Sequence, residues 1–370
     1  MRVILTCASL SPSYGGPAFS VSRLACALAA SNLDVGLWAA DQSASSTPVI
    51  PTDTPIQRLT GTEAEALDTF GRVDVLHDNG IWWRHNHCLA RLARERGIPR
   101  MVSTRGMLEP WAIKHKWWKK RVAWRLYQRR DLARADCHHT TSKRESENLR
   151  EFGLGVPICM IPNGIDVPEL DPQRLALKSD QFNRSGRKTA LFLGRLDAVK
   201  GLPSLIEAWA RVRPQGWFLQ IAGPDESGYR AQLEKQISAA GLTECISFLG
   251  PVDGARKRSG FFDADIFVLP SHSESFGMAI AEALAHGLPV LTTTSAPWAS
   301  LVEQGCGWWV EPTVEGIADG LREATSRTSD ELHTMGVRGR AFVVTEFCWD
   351  CVAKQFVSIY EELVAKRGNL

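Results

Sequence analysis

The sequence lacks several features that would place it in a membrane or in an oxidising compartment. None of its apolar runs approaches the roughly 18 residues that a bilayer-spanning helix needs. Its first residues, MRVILTCASLSPSYGG, have no long apolar region of the kind found in secretory signals. Its nine cysteines are odd in number and follow no repeated spacing, which is not a disulfide framework. We therefore expect a cytoplasmic protein whose cysteines are small buried hydrophobic residues.

Motifs for metals and dinucleotides are also missing. No G-x-G-x-x-G follows a predicted strand, which argues against an NAD-dependent oxidoreductase. Three residue pairs have a spacing suited to metal ligands but lack the further ligands or the context of a site. These pairs are Cys348 and Cys351, Asp263 and Asp265, and His85 and His87. We predict neither a metal ion nor an organic cofactor.

Positive charge is concentrated in one part of the chain, although the net charge is only +2. The segment Trp111 to Arg130 carries eight Lys and Arg, four Trp and no acidic residue. A helical segment of this composition suits an anionic membrane surface, and we predict peripheral docking there. The alternative is a core helix that buries Trp117, Trp124 and Leu126 below solvated cations. No nucleic-acid motif accompanies the segment, so we predict no nucleic-acid partner.

Apolar runs alternate with helical stretches along the whole chain, which predicts an α/β fold with parallel sheets. The alternation stops in a polar, proline-bearing stretch and then restarts with TALFLG. The restart predicts two doubly wound domains facing across a cleft. We assign residues 1–165 to the first domain, 166–187 to a linker, 188–345 to the second domain and 346–370 to an amphipathic C-terminal helix.

The stretch SESFGMAIAEALAHGLPV, from Ser273 to Val290, places two carboxylates around a helix start. Glu274 lies in the preceding polar loop, and Glu282 lies along the side of the helix. The backbone amides of Gly277, Met278 and Ala279 would point out of the helix N-terminus, where amides bind phosphate. Carboxylates suit sugar hydroxyls, so the stretch predicts a site for a phosphorylated sugar. The alternative is an ordinary loop and helix with two solvated glutamates.

A second loop, GRLDAVKG, places Arg195 and Lys200 after the strand TALFLG. Ligands of open parallel sheets bind beyond the carboxyl ends of the strands. Two cations at such a strand end can neutralise a diphosphate. The alternative is a pair of ordinary surface cations.

Four motifs together resemble a known family. GRLDAVKG, SESFGMAIAEALAHGLPV, IPNGID and the Gly15-Gly16 loop look like the signatures of retaining GT-B glycosyltransferases of family 4, and they occur in the expected order. Two further segments, RGMLEPWAIKHKWWKK and SAPWASLVEQGCGWWV, resemble those of a bacterial branch of this family. That branch builds surface polysaccharides such as exopolysaccharide, O-antigen or capsule.

The resemblance implies a GT-B fold of two Rossmann-like domains, with a nucleotide sugar on the second, the acceptor on the first and a C-terminal helix crossing back. Arg195 and Lys200 would hold the donor diphosphate, Glu282 the ribose and Glu274 the transferred sugar. The other donor-binding residues would be Gly15, Gly16, Phe276, Gly277, Met278 and Ala279. UDP- and GDP-sugars both fit as donors, and a glycan or a polyprenyl-diphosphate-linked glycan fits as the acceptor.

One position departs from the family pattern. Many members carry His-Gly after a first-domain strand, where this chain has Arg105-Gly106. The departing phosphate can take the acceptor proton, so the resemblance requires no protein base. We rank Arg105 above His77 and His139 as the residue that contacts the donor or an anionic acceptor. A non-catalytic membrane scaffold on the same fold remains the alternative function.

Overall fold

The computed structural model describes residues 1–11, 14–47, 49–114, 117–169, 187–225 and 228–368. The chain divides into two compact units, Met1–Gly164 with Phe347–Leu370, and Ile165–Glu346. Most of the predicted linker, 166–187, lies outside the described residues. Within the described residues, no helix combines the length and apolar content that crossing a bilayer requires. All nine cysteines are free thiols; three are buried and six are half-buried.

The first unit contains a seven-stranded parallel sheet in the order β3-β2-β1-β4-β5-β6-β7. Its strands are β1 Arg2–Cys7, β2 Asp34–Ala39, β3 Ile56–Leu59, β4 Val75–Asn79, β5 Arg100–Ser103, β6 Cys137–Thr140 and β7 Ile158–Met160. The sequence predicts six of them. The edge strand β3 escapes prediction because its four residues include an exposed glutamine and form no apolar run.

Helices cover this sheet. They are α1 Gly16–Ala30, α2 Glu63–Phe70, α3 Arg84–Glu95, α4 Pro110–Lys114, α5 Trp117–Ala123, α6 Arg129–Ala133 and α7 Lys143–Arg150. A π-helical turn, Trp124–Gln128, joins α5 to α6. The C-terminal helix of the chain, Trp349–Gly368, also belongs to this unit, where Val352, Phe356 and Tyr360 are buried in the core around β1.

The basic segment is helical, as predicted, and does not match its buried alternative. Trp117 and Leu126 are 57% and 72% exposed. Of the three residues in that alternative, Trp124 alone packs against the protein, with its ring 5.1 Å from that of Phe152. Residues 115 and 116 of the segment lie outside the described part. The exposed faces of α5 and the π-helical turn are therefore open to a partner.

The second unit contains a six-stranded parallel sheet in the order β10-β9-β8-β11-β12-β13. Its strands are β8 Lys188–Leu193, β9 Trp217–Ala222, β10 Ile246–Gly250, β11 Ile266–Leu269, β12 Val290–Thr293 and β13 Gly307–Val310. Its helices are α8 Leu202–Val212, α9 Tyr229–Ala239, α10 Gly254–Asp263, α11 Met278–Ala285, α12 Ser300–Glu303, α13 Val314–Ser326 and α14 Ser329–Phe347. The C-terminal helix Trp349–Gly368 is α15.

Both sheets reverse their strand order at an internal point, between β1 and β4 and between β8 and β11. Ligands of doubly wound sheets bind beyond the carboxyl ends of the strands at such a point. The loops after β1, β4 and β5 in the first unit, and after β8 and β11 in the second, are therefore the positions where a site is expected.

Candidate functional site

Backbone contacts hold the loops after β8 and β11 together. The amide of His272 donates to the carbonyl of Val199 at 2.7 Å. Gly201 has φ +69°, and a Cβ there would lie 2.1 Å from the carbonyl oxygen of Pro270. Only glycine fits this approach. The contact brings the loop with Arg195 and Lys200 against the loop that precedes α11.

Lys200 and Glu274 meet at this contact. The Nζ of Lys200 lies 2.6 Å from Oε1 of Glu274, and the hydroxyl of Ser271 donates to the same oxygen at 2.6 Å. Their side chains are only 18% and 12% exposed, so the pair is largely shielded from water. Within the described residues, Oε2 of Glu274 accepts no hydrogen bond. One oxygen of a fixed carboxylate is thus available to a ligand hydroxyl.

The N-terminus of α11 lies beside this pair. Gly277 caps the helix with φ +86°, and the indole Nε1–H of Trp298 donates to the carbonyl of Phe276. Within the described residues, the amides of Gly277, Met278 and Ala279 have no acceptor. Free amides at a helix start bind anions, so the loop can hold a phosphate.

Glu282 has a partner that the sequence did not indicate. Its Oε1 lies 2.6 Å from the Nζ of Lys257, which α10 supplies. Lys257 stands among three basic residues in ARKR, and no motif distinguishes it from its neighbours. The second glutamate of the stretch is therefore held in an ion pair, like the first.

Arg195 differs from the two lysines. Its side chain is exposed, and in the described part of the chain it has no ion pair or hydrogen bond. The pairs of Lys200 and Lys257 are each neutral overall. Arg195 and the free amides of α11 therefore give this loop cluster a positive character that suits a diphosphate.

The loop after β1 leads into α1 in the first unit. Gly15 caps α1 with φ +83°, a conformation that favours glycine. Gly16 has no such requirement, and a Cβ there would meet no atom of the described residues within 4 Å. The described part of the fold therefore leaves room for a side chain at position 16.

Arg105 follows β5 in a left-handed conformation with φ +52°. Its NH1 donates to Oδ1 of Asn163 at 2.8 Å, and its Nε and NH2 both donate to Oδ1 of Asn79, NH2 at 2.6 Å. All of these acceptors are neutral amide oxygens. Loss of water around the guanidinium lowers its pKa to about 10, which leaves it charged at neutral pH.

Glu145 holds the Arg105 loop, and the sequence analysis did not identify it. Oε1 of this buried carboxylate accepts hydrogen bonds from the hydroxyl of Thr104 and the amide of Gly106, both at 2.7 Å. Oε2 accepts from the amide and hydroxyl of Thr141. Two of these four hydrogen bonds hold the residues on either side of Arg105, and the other two tie them to Thr141 after β6. No local motif could have shown this, because Glu145 lies on α7 and acts across the sheet edge.

His77 and His139 have structural partners at every ring nitrogen. Nε2 of His139 must donate to the carbonyl of Ile161, so its Nδ1 accepts from the hydroxyl of Ser103. Ser103 in turn accepts from Nε2 of His77, and Nδ1 of His77 accepts from the hydroxyl of Tyr360. Each side chain is at most 1% exposed.

Burial keeps both rings neutral. Desolvation lowers the pKa of His139 to about 3 and that of His77 well below its ordinary value, and the charge of Arg105 acts in the same direction. Neutral rings with both nitrogens engaged do not exchange protons with a substrate. The two histidines therefore support the strands. Of the three candidates Arg105, His77 and His139, Arg105 is the one that remains for a ligand.

Two of the three candidate metal-ligand pairs have residues with other roles in the fold. Oδ2 of Asp265 accepts from the amide of Thr189 at 2.7 Å, next to the start of β11, and Asp263 ends α10. Nδ1 of His87 contacts Asp131 at 2.6 Å, whereas His85 packs against Trp38. In the ranges that the structure describes, no three His, Cys, Asp or Glu side chains are grouped as metal ligands would be.

The two parallel sheets, with the site residues on loops beyond their strands, define a glycosyltransferase of the GT-B class once the chain is compared with known proteins. Residues 15–164 match the glycosyl transferase 4-like domain, and residues 174–342 match the glycosyl transferases group 1 domain. The chain belongs to glycosyltransferase family 4, which carries these two domains.

Three relatives illustrate the range of its similarity. Glycogen synthase of Mycobacterium tuberculosis is 30% identical over 82% of this chain and 71% of its own length. The phosphatidyl-myo-inositol mannosyltransferase of Mycobacterium leprae is 31% identical over 58% of this chain and 56% of its own. The GDP-mannose:cellobiosyl-diphosphopolyprenol alpha-mannosyltransferase of Komagataeibacter xylinus is 28% identical over 50% and 48%. The chain spans only about half the length of the two mannosyltransferases.

Solved structures agree with the fold over the whole chain. Sucrose-phosphate synthase from Thermosynechococcus elongatus has a TM-score of 0.80 at 21% identity, covering 99% of this chain and 100% of its own. Anabaena HepE, solved in complex with UDP and glucose, has a TM-score of 0.75 at 19% identity, covering 98% and 100%. These likenesses confirm the predicted α/β GT-B fold.

Proposed function

We propose that this protein is a retaining glycosyltransferase that moves a hexose from a UDP- or GDP-sugar to a glycan or lipid-linked acceptor. One observation carries the proposal: the Lys200–Glu274 pair lies at the mouth of α11, beside free helix amides and the unpaired Arg195. This arrangement offers a hydroxyl acceptor and a phosphate site within one loop cluster. Solved relatives hold UDP and glucose, which agrees with such a donor.

The proposed chemistry follows the movement of charge. Negative charge grows on the diphosphate as the bond to the anomeric carbon breaks, and Arg195, Lys200 and the α11 amides stabilise it. The free oxygen of Glu274 accepts a hydroxyl of the transferred sugar. The acceptor oxygen bonds to the anomeric carbon from the face that the phosphate leaves, so the anomeric configuration is retained. The departing phosphate takes the proton of the acceptor hydroxyl. The cations supply the charge that the leaving group needs, so the proposed reaction uses no metal ion.

Glu282 and the first-unit residues have supporting roles in this proposal. Glu282, oriented by Lys257, binds the ribose hydroxyls of the donor. Gly15 and Gly16 let the backbone at the start of α1 approach the phosphate. Arg105 presents its charge to the donor phosphate or to an anionic group of the acceptor.

The proposed acceptor is a lipid-linked glycan in bacterial polysaccharide or lipopolysaccharide synthesis. Two relatives support this choice, since their names specify phosphatidyl-myo-inositol and a diphosphopolyprenol glycan. Such acceptors reside in membranes. We accordingly place the protein at the cytoplasmic face of the membrane as a peripheral protein.

The test measures transfer from labelled nucleotide sugars to lipid-linked acceptor extracts. Lys200→Ala and Glu274→Gln should each lower kcat/KM by about a hundredfold or more, because each removes a group that acts on the donor in the transition state. Lys235→Ala and Glu303→Gln are matched controls, since both residues are exposed on other helices. Normal transfer by the first two variants would refute the site.

Two further measurements address the finer parts of the proposal. Product NMR reports whether the anomeric configuration is retained, and transfer in the presence of EDTA should be unchanged. Thermal unfolding with UDP, GDP or ADP identifies the base, because a nucleotide at 100 times its Kd adds about 2.7 kcal/mol of stability. Inversion of configuration, or loss of activity with EDTA, would contradict the proposed mechanism.

A further inference from the structure

A stripe of apolar side chains is exposed along α5 and the π-helical turn. Trp118, Val122 and Leu126 are 58%, 52% and 72% exposed and follow one another at intervals of four residues. Residues at this spacing lie on one side of a helix. Three large apolar groups in a row on a solvent-facing side are uncommon on a monomer without a partner.

The opposite side of the same helical run is fixed to the protein. Trp124 packs against Trp82 and Phe152, with ring centroids 6.1 and 5.1 Å apart. The amide of Trp82 donates to Oε1 of Gln128, and the hydroxyl of Tyr127 donates to the carbonyl of Trp82. These contacts decide which side faces outward. The stripe is therefore a built surface and not a loose helix.

Arginines line an open groove at the end of the stripe. The groove has a volume of about 570 Å³ and is lined by Trp124, Arg125, Arg129, Arg130, Ala133 and Arg134. In the described part of the chain, none of these arginines has a carboxylate partner. These four arginines lie within ten residues of one another and share one groove, so their like charges repel. An anionic partner would relieve this repulsion.

We propose that this surface docks on a bilayer that contains anionic phospholipids. Trp118, Val122 and Leu126 enter the interfacial layer, and the arginines of the groove bind lipid phosphates. Guanidinium groups suit phosphate through paired hydrogen bonds, and apolar side chains beside them suit the acyl boundary. A nucleic acid would supply phosphates but no apolar layer for Val122 and Leu126.

The inference rests on the proposed function only for the purpose of docking, since a lipid-linked acceptor would lie in the same membrane. The docking surface contains none of the proposed donor-binding residues. Membrane binding and donor binding can therefore fail separately. A variant that loses vesicle binding while UDP or GDP still raises its Tm has lost docking alone.

Flotation of the full chain with vesicles tests the proposal. The protein should bind vesicles that contain phosphatidylglycerol and not vesicles of phosphatidylcholine alone, and salt should weaken binding. Arg129→Gln with Arg130→Gln should weaken binding about 25-fold, roughly fivefold for each charge removed. Arg129→Lys with Arg130→Lys should retain most of it. Arg322→Gln in α13 is the control, because Arg322 is an exposed arginine paired with Asp319.

A second variant tests the apolar stripe. Val122→Gln with Leu126→Gln should abolish quenching of tryptophan fluorescence by brominated lipids while keeping the arginines intact. Equal binding to neutral vesicles, or unchanged binding by the double glutamine variant of Arg129 and Arg130, would overturn the proposal. Tight binding of inorganic pyrophosphate that depends on the same arginines would also overturn it, since the groove would then serve a free phosphate compound. Preferential binding to duplex DNA would have the same consequence.

Discussion

The candidate site residues of the two units hold their positive charges differently. In the second unit, Lys200 and Lys257 each contact a glutamate at 2.6 Å. In the first unit, Arg105 is held only by the amide oxygens of Asn79 and Asn163. The two pairs fix carboxylates that can accept hydrogen bonds from hydroxyl groups, and the exposed Arg195 carries the unpaired positive charge of the same loops. The arrangement in the first unit fixes a full positive charge in place without neutralising it.

The difference concerns the chemical groups that each arrangement can contact. A paired lysine orients its glutamate, whose remaining oxygen can accept a hydrogen bond from a hydroxyl group. An arginine held by neutral acceptors keeps its attraction for an anion while its geometry is fixed. Glu145 supports this interpretation, because it accepts hydrogen bonds from Thr104 and Gly106, the residues on either side of Arg105. The carboxylate positions the loop without forming a hydrogen bond to the guanidinium.

The largest expected effect comes from giving Arg105 the carboxylate that it lacks. Asn79→Asp would create an ion pair like those of the second unit and cancel the charge of the half-buried Arg105. We expect kcat/KM for transfer to fall by about a hundredfold, with the Tm unchanged or raised, because an oriented charge is lost while the contact is kept. Steady-state transfer assays and thermal unfolding measure the two quantities.

A double-mutant cycle sharpens this prediction. Arg105→Gln removes the same charge from the other side, so the two substitutions should lower transfer to a similar extent. Combining them should add little, since the second change has no charge left to cancel. Full additivity of the two effects would show that Asn79 and Arg105 act independently.

Acid should affect the first unit before the second. His77, His138 and His139 are buried on β4 and β6, and burial lowers the pKa of His138 to about 4 and of His139 to about 3. The unfolded chain binds protons near pH 6.5 and the folded chain does not. The contribution of these neutral rings to the free energy of unfolding is therefore complete above pH 6.5. As the pH falls below that value, each histidine loses about 1.4 kcal/mol of this contribution per pH unit.

Hydrogen exchange between pH 7 and 4.5, followed by mass spectrometry of peptides, measures this order. Peptides of β4, β5 and β6 should lose protection first. In the described part of the second unit, His286 is the one histidine with a pKa lowered to about 4. Earlier loss of protection in β8 to β12 would contradict the predicted difference between the units.

The smallest effect is expected at Gly16. Gly16→Ala should leave the Tm unchanged, since a Cβ there meets no atom within 4 Å among the residues that the structure describes. The added methyl should raise the KM for the nucleotide sugar by about tenfold if the backbone approaches the donor phosphate. Gly201→Ala provides the contrast and should destabilise the fold, because its Cβ would overlap the carbonyl oxygen of Pro270. An unchanged KM would remove Gly16 from the donor site.

The sequence predicted most strands and the loops that carry Arg195, Lys200 and Glu274 because these depend on local patterns. Long apolar runs give central strands, and GRLDAVKG keeps its cations within six residues. The same reasoning missed the edge strand β3 and the short strand β13. In β13, the backbone of Gly307 packs so closely that a Cβ there would lie 2.1 Å from the carbonyl oxygen of Val290. Close backbone packing leaves no mark on hydrophobic periodicity.

The partners of the site residues were beyond local patterns for a different reason. Lys257 meets Glu282 across two helices, and Glu145 reaches Arg105's loop from 39 residues away. Each partner is an ordinary charged residue in its own segment. Only the parallel sheets bring these segments to one edge, so their pairing follows from the tertiary structure.

The hydroxyl of Tyr360 completes the hydrogen-bond chain of His77, 283 residues earlier in the sequence. The first unit is therefore made of two pieces of chain that the whole second unit separates. During synthesis, β4 leaves the ribosome long before α15 is made. Until then, Nδ1 of His77 lacks its hydrogen bond from Tyr360. The second unit is continuous and can fold as soon as Glu346 has emerged. A chain that ends before Trp349 therefore contains the whole of the second unit but lacks the helix that completes the core of the first.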